Sequence, residues 1–312
     1  MRTERPQTLQ RVGVCLLFAA VAGLIAFRAQ YVEHAQGGDH LILWRSAHTV
    51  LARGNPYADD PNIYRRLVYP LPAVLLGLPF AWLSPEGAAV AFITLSAGLL
   101  GAAITADGFS RVPIVFSICF LAAAQLAQTS ILLLAFGLVP ALGGLLVVKP
   151  NIGLALFAWR PSARVIVVGT VILLVSLLVQ PRWPAQWLAV SRDFPAHRSP
   201  LLTGVGACGV LGLLRWRRPE ARLLVAMTLI PHGLYFYDDL PLWLVASTSR
   251  ESIILSACSW LGWFGWIATT DGGTTAMAPW VSAALYVPST LMVLRRPNVD
   301  PVAAETLDSI AP

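Results

Sequence analysis

Charged residues are scarce in this sequence. They make up 12% of its 312 residues, whereas 56% are hydrophobic and the mean hydropathy is +0.67. Polar side chains are therefore too few to cover the surface of a water-soluble globular protein. This composition predicts an all-α polytopic membrane protein. Polar stretches long enough for a separate soluble domain are also lacking, so residues 1–312 are interpreted as one integral membrane domain.

Lysine and metal-binding patterns are nearly absent as well. Lys149 is the only lysine, and the other basic residues are arginines at the ends of apolar runs, where they orient helices against the membrane rather than bind nucleic acid. The four cysteines lie inside apolar runs without CxxC spacing or paired histidines. They indicate neither a disulfide framework nor a zinc site. The sequence therefore predicts no cofactor and no nucleic-acid partner, and it assigns no metal.

The pattern of arginines predicts a topology in the cell membrane. The first apolar segment, residues 12–27, follows three arginines and precedes no cleavage pattern, so it is interpreted as an uncleaved signal anchor with a cytoplasmic N-terminus. Later arginine clusters mark further cytoplasmic turns: Arg160 with Arg164, Arg215 to Arg222, Arg250, and Arg295 with Arg296. The remaining loops face outward: residues 28–69, residues 181–200, and the turns around Asp238 and Asp271.

The number of membrane crossings is predicted as ten to twelve. Segments at 70–83, 87–106, 112–127, 129–147 and 150–160 include pieces too short to cross about 30 Å alone. Such broken helices must satisfy their backbone against protein or a wet cavity, so the fold is expected to contain a cavity. In the first outer loop, 28–69, a helical spacing of apolar residues over 41–53 predicts an amphipathic helix lying along the outer interface. His40 and His48 are interpreted as solvated or interfacial, and Trp183 and Trp187 as interfacial anchors.

A succession of short motifs runs through most of the chain. The motifs are Asp39, Trp44, Ala47, Leu51, Gly54-Asn55-Pro56-Tyr57, Tyr69-Pro70-Leu71-Pro72, Pro79, Ala127-Gln128-Thr129, Lys149-Pro150, Trp159-Arg160 and Tyr235, Tyr237, Asp238. Their order is similar to that in GT-C-class, polyprenol-phosphate-mannose-dependent α-mannosyltransferases related to those that build phosphatidylinositol mannosides. The resemblance covers residues 10 to 250. Gln128 lacks the glycine and asparagine neighbours usual in that family.

The resemblance implies a GT-C-like helical bundle and an inverting transfer outside the cytoplasm. An acceptor hydroxyl would attack the anomeric carbon of a sugar, mannose in that family, and polyprenyl phosphate would depart. The implied partners are a polyprenyl-phosphate sugar donor, a lipid or glycan acceptor, and membrane lipids. Asp39 is the candidate general base, the one catalytic side chain such a transfer requires. The alternative is that Asp39 only caps the helix that follows it.

Further residues are assigned to substrate. Lys149, Arg65 and Arg66 are candidates for the donor phosphate, because cationic side chains match phosphate oxygens. The alternatives are a lysine that reaches the interface and arginines that attract lipid head groups. The candidates for substrate binding are Tyr57, Tyr69, Gln128, His232, Tyr237 and Asp238, and an aromatic interface belt would explain the tyrosines equally. A divalent cation between Asp39 and Asp238 is left open.

A second functional class is compatible with the same pattern. A secondary transporter or a flippase for lipids or lipid-linked sugars would also show broken helices, charges at membrane depth and aromatic outer loops. The sequence shows no evident two-fold repeat, which is the usual pointer to transporters. A non-catalytic membrane scaffold is a third interpretation, and it leaves Asp39 and Lys149 unexplained.

Overall fold

The computed structural model describes residues 4–58, 66–192, 197–269 and 276–299. The chain is mostly helical. Its α-helices are α1 Glu4–Phe27, α2 His40–Leu51, α3 Pro85–Ile104, α4 Ile118–Gln125, α5 Ser130–Leu138, α6 Pro150–Trp159, α7 Ala163–Val179, α8 Trp183–Arg192, α9 Pro219–Leu229, α10 Ser249–Thr269, α11 Ala278–Val281 and α12 Val287–Leu294.

Short 3₁₀ and π segments connect these helices. The 3₁₀ segments are Leu71–Leu76, Leu78–Phe80, Val112–Phe116, Gly143–Val148, Pro200–Thr203, Val205–Arg215 and Phe236–Leu244, and the π segments are Arg28–Val32 and Ser282–Tyr286. One two-residue antiparallel pairing joins β1 His197–Arg198 to β2 His232–Gly233. Prolines and glycines at the starts of many 3₁₀ segments explain why the chain does not continue as long α-helices there.

Several helices are long and apolar enough to cross a membrane. Among the described residues three qualify alone, Gln7–Val32, Pro85–Ile104 and Ser249–Thr269, and the count rises to five if the bent pairs α4 with α5 and α7 with α8 each form one span. The axes of these two pairs are bent by 118° and 97°. The helical membrane-protein character expected from composition is therefore supported. The count of ten to twelve crossings and the GT-C-like bundle stay predictions.

Helices α1 and α3 lie side by side and run in opposite directions. Gly23 of α1 faces Thr94, while Gly101 of α3 faces Cys15, where an added Cβ would lie 3.0 Å from the Cys15 Cα. Small residues allow this close backbone approach. Ser84 caps the start of α3, and its hydroxyl accepts a hydrogen bond from Gly87 N–H at 3.1 Å. Because α1 and α3 are antiparallel, the start of α1 and the end of α3 lie at the same end of the molecule.

The helix predicted in the first outer loop is present as α2, but its buried face differs from the predicted stripe. Ala47 of the predicted stripe is buried, but Leu51 of that stripe is 62% exposed. His40 and Leu43, which lie outside the stripe, are buried instead. The interpretation of His40 as solvated or interfacial is wrong, because its side chain is fully buried and its ring stacks on Phe92 at 4.4 Å between centroids. α2 packs against protein on this face, which explains the shift.

Helix α8 and the residue that follows α7 contact the chain at Val68 and Asn55. Trp187 Nε1 donates to the Val68 carbonyl at 3.1 Å, and Gln180 Nε2 donates to Asn55 Oδ1 at 2.6 Å. Trp183 is buried at 5% exposure, so it packs inside the protein and is not the interfacial anchor predicted from sequence. The hydrogen bond from Trp187 to the Val68 carbonyl holds the backbone next to Tyr69 in place.

Candidate active site

Asp39 precedes α2, but its side chain does not cap that helix. It occupies the N-cap position without a capping hydrogen bond, and its carboxylate instead accepts a hydrogen bond from Gln128 Nε2. Its backbone N–H donates to the Leu126 carbonyl at 2.9 Å. The capping alternative is therefore wrong for the side chain. The half-buried carboxylate is turned toward the connection between α4 and α5.

This α4–α5 connection, residues 126–129, has an unusual backbone. Ala127 has a φ of 52°, and Gln128 N–H donates to the Ala123 carbonyl at 2.9 Å. Gly38 lies against the connection with a φ of 54°, and an added Cβ would lie 2.7 Å from the Leu126 oxygen. Glycine fits here because it has no Cβ and adopts positive φ readily. The close approach brings Gln128 within reach of Asp39.

A buried ion pair lies beside this contact. Lys149 Nζ lies 2.5 Å from Asp238 Oδ1, and both side chains are almost fully buried. Ser130 Oγ donates to the same Asp238 oxygen at 3.1 Å. The ammonium group also lies 5.9 Å from the centre of the Tyr69 ring. Lys149 and Asp238, each costly in an apolar surrounding, thus compensate one another.

The ion pair and Asp39 form one electrostatic group. Asp39 interacts with the charges of Lys149 and Asp238, and Tyr69 and Tyr237 interact with both acids. Burial raises the pKa of the Asp39 carboxyl above its usual range, although the Gln128 hydrogen bond and the Lys149 charge oppose part of the rise. We call this group the Asp39 cluster; its members are Asp39, Tyr69, Gln128, Ser130, Lys149, Tyr237 and Asp238.

Tyr57 supports the cluster from outside. Its hydroxyl donates to the Tyr69 carbonyl at 2.9 Å, which ties the two ends of the intervening chain together. Arg66 is partly exposed and lies three residues before Tyr69 along the chain. Arg65 and Asp271 lie outside the described residues. The structure therefore brings six of the predicted substrate, phosphate and base residues together and places Tyr57 behind one of them.

His232 belongs to a different contact group. Its Nε2 lies 3.3 Å from Asp239 Oδ1, and Tyr286 OH donates to that oxygen at 2.7 Å. All three side chains are buried. Consecutive acids, Asp238 and Asp239, therefore serve separate groups on the 3₁₀ segment Phe236–Leu244. His232 contacts protein partners here, rather than lying in an open outer patch.

Sequence reasoning missed two members of these groups. Ser130 is an ordinary serine at the start of α5, and Tyr286 lies in the last fifth of the chain, where the sequence shows only hydrophobicity. No set of three His, Cys, Asp or Glu side chains suited to a metal ion occurs in the part of the chain that the structure describes. Comparison of the chain with protein-family models, curated proteins and solved structures returns no match.

Proposed function

We propose that this chain is an inverting glycosyltransferase that moves a sugar from a polyprenyl-phosphate donor to a lipid or glycan acceptor. The observation that carries the proposal is the Asp39 carboxylate, which is half-buried, makes no helix cap and lies within the field of a buried ammonium group. A carboxylate with a raised pKa is a better proton acceptor than an ordinary surface aspartate. The motif order described above supports mannose as the sugar.

The chemistry assigns one role to each side of the cluster. Asp39 accepts the proton of the acceptor hydroxyl while the oxygen of that hydroxyl forms a bond to the anomeric carbon. The bond between that carbon and the donor phosphate oxygen breaks, and polyprenyl phosphate leaves with the electron pair. The proton remains on Asp39 until solvent removes it. General-base assistance of this kind contributes roughly 10²- to 10⁴-fold in rate.

Lys149 supplies the positive charge that the leaving phosphate needs. One of its three ammonium protons is directed at Asp238, which leaves two for phosphate oxygens. In this proposal Asp238 and Ser130 hold the ammonium in place, while Tyr69 and Tyr237 line the sugar position. Developing negative charge in a water-poor site is stabilised strongly by such a preorganised cation.

The distribution of arginines supports an extracytoplasmic position for Asp39. Gly37 lies against Pro85 at the start of α3, whereas Asp107, just after the end of α3, lies 3.8 Å from Arg160. α3 has 20 residues and is about 30 Å long. Asp39 and the arginine clusters therefore lie near opposite ends of this helix. If the arginine end is cytoplasmic, as arginine-rich ends usually are, Asp39 faces outward.

A flippase or secondary transporter is the second candidate. The observation that favours it is a buried ion pair beside the broken helices α4 and α5, because transporters also place charges at discontinuous helices. A transferase forms a covalent product in detergent solution, whereas a flippase or transporter needs a sealed membrane with two sides and forms no new bond. Purified protein in detergent would receive polyprenyl-phosphate mannose and a lipid acceptor, with product followed by mass spectrometry. Product formation supports the transferase, and unchanged substrates with a folded, monodisperse preparation would contradict it.

A further inference from the structure

A cavity of about 690 Å³ lies away from the Asp39 cluster, at the arginine end of the molecule. Its walls come from segments far apart in sequence: the ends of α5 and α6, the starts of α7 and α9, and the residues after Leu244. Arginines Arg111, Arg160, Arg218, Arg222 and Arg296 line it together with one acid, Glu220. We call it the arginine cavity.

Three of these arginines form the rigid wall. Arg218 and Arg296 both contact Glu220, at 2.6 and 3.0 Å. Arg222 donates to the carbonyls that end α6, at 3.1 Å for Ala158. These guanidinium groups are fixed by neighbouring acids and carbonyls, so the shape of the cavity does not depend on a ligand. Their hydrogen bonds also leave them less free to hold one.

The other two arginines have capacity for a ligand. Arg111 is partly buried, and its Nε has no hydrogen-bond partner among the described residues. The Arg160 guanidinium lies 4.4 Å from the Trp159 ring centre and contacts Asp107 only at 3.8 Å. Buried guanidinium groups normally have hydrogen-bond partners. The Nε itself is enclosed by protein, but the Arg111 guanidinium lines the cavity, so an acceptor bound there would meet it from the cavity side.

The charge of the site selects an anion. Its lining has five arginines against one glutamate, and the two further acids that contact them, Asp107 and Glu251, still leave an excess of two positive charges. α7 begins at this cavity, and Ser162 at its N-cap makes no side-chain capping bond, so the partial positive charge of that helix end adds to the field. Apolar side chains, including Phe136, Leu156 and Leu244, form the inner wall.

We propose that the arginine cavity is a binding site for a phosphate monoester, and that Arg111 and Arg160 are its ligand-contacting donors. Guanidinium groups bind phosphate oxygens through paired hydrogen bonds. The volume is in the range of small-molecule sites and far exceeds one phosphate, so a polar or acyl group remains attached to it. The source is either the head group of an anionic lipid or a soluble phosphate ester. This site is separate from the proposed transfer site at Asp39.

The test is isothermal titration of the purified full-length chain in neutral detergent with four probes. These are inorganic phosphate, glycerol 3-phosphate, short-chain phosphatidic acid and short-chain phosphatidylcholine. Saturable binding of any of the first three supports the proposal. Binding of phosphatidic acid alone identifies a lipid source, and comparable binding of glycerol 3-phosphate identifies a soluble one. No binding to any probe, or equal binding of zwitterionic phosphatidylcholine, would overturn it.

Variants separate a built site from general attraction to a basic surface. Arg111→Gln should weaken binding about tenfold or more, because it removes a charged hydrogen-bond donor. Arg164→Gln is the matched control, since it removes the same charge from an exposed residue that does not line the cavity. Its affinity should stay within about twofold. Equal weakening by both variants contradicts the proposal. Arg160→Gln, an exposed position, gives the same test if Arg111→Gln fails to fold.

Discussion

Replacement of Asp39 by asparagine is the sharpest test of the transfer mechanism. Asparagine has nearly the same shape, and its carbonyl oxygen can still accept the hydrogen bond from Gln128. The change therefore removes the charge and the basicity without leaving the buried Gln128 amide unpaired. An alanine would leave it unpaired, at a cost of about 1–3 kcal/mol, so its effect on turnover would be mixed with an effect on stability.

The expected result for Asp39→Asn is a fall in turnover of roughly 10²- to 10⁴-fold, with little change in donor binding or thermal stability. The pH profile provides an independent check. Because burial raises the pKa of Asp39, the active, deprotonated base forms only above that pKa. Turnover of the wild-type chain should therefore rise with pH through an inflection above the usual range of aspartate, and the variant should lose this inflection.

The measurement is product formation from polyprenyl-phosphate mannose in detergent, over a range of pH. Glu33→Gln is the control, since Glu33 lies in the same loop but is more exposed and pairs with Arg28 at 3.0 Å on the surface. Such surface pairs contribute little, so this variant should retain its turnover. Wild-type turnover in Asp39→Asn, or an equal loss in Glu33→Gln, would refute the assignment of the base.

Further expectations concern the supports of the site. Lys149→Met should lower the unfolding free energy by about 3–5 kcal/mol because it leaves the buried Asp238 carboxylate without its cationic partner, whereas the double variant with Asp238→Leu should restore most of that stability. Denaturation in detergent measures both, and a single variant as stable as the wild type would contradict the prediction. Tyr57→Phe removes the hydrogen bond to the Tyr69 carbonyl and should lower the unfolding free energy by about 1 kcal/mol in the same assay. An unchanged unfolding free energy would show that this hydrogen bond does not stabilise the fold. Gly38→Ala should reduce both stability, by about 1 kcal/mol or more, and turnover, while Gly13→Ala, which meets nothing within 4 Å, should do neither; similar effects of both alanines would refute the close approach.

Much of the architecture could be predicted from local sequence. Each predicted segment between 70 and 160 has a helical counterpart, because apolar runs between prolines and glycines determine where helices begin and end. The helix in the first loop was also predictable, but its buried face was not. His40 is buried because aromatic rings of α3 and the 3₁₀ segment before it surround the imidazole, and that neighbourhood forms only in the tertiary structure.

The partners within the site could not be predicted. Lys149 and Asp238 are 89 residues apart in sequence, as are Asp39 and Gln128. The cost of a charge in an apolar segment predicts that each has a partner, but only packing decides which one. From the sequence, a ligand phosphate was a possible partner for Lys149, but in the structure its partner is Asp238. Asp238 holds the ammonium group in place without a ligand. In the proposed transfer, binding of the donor phosphate would therefore cost less side-chain entropy of Lys149.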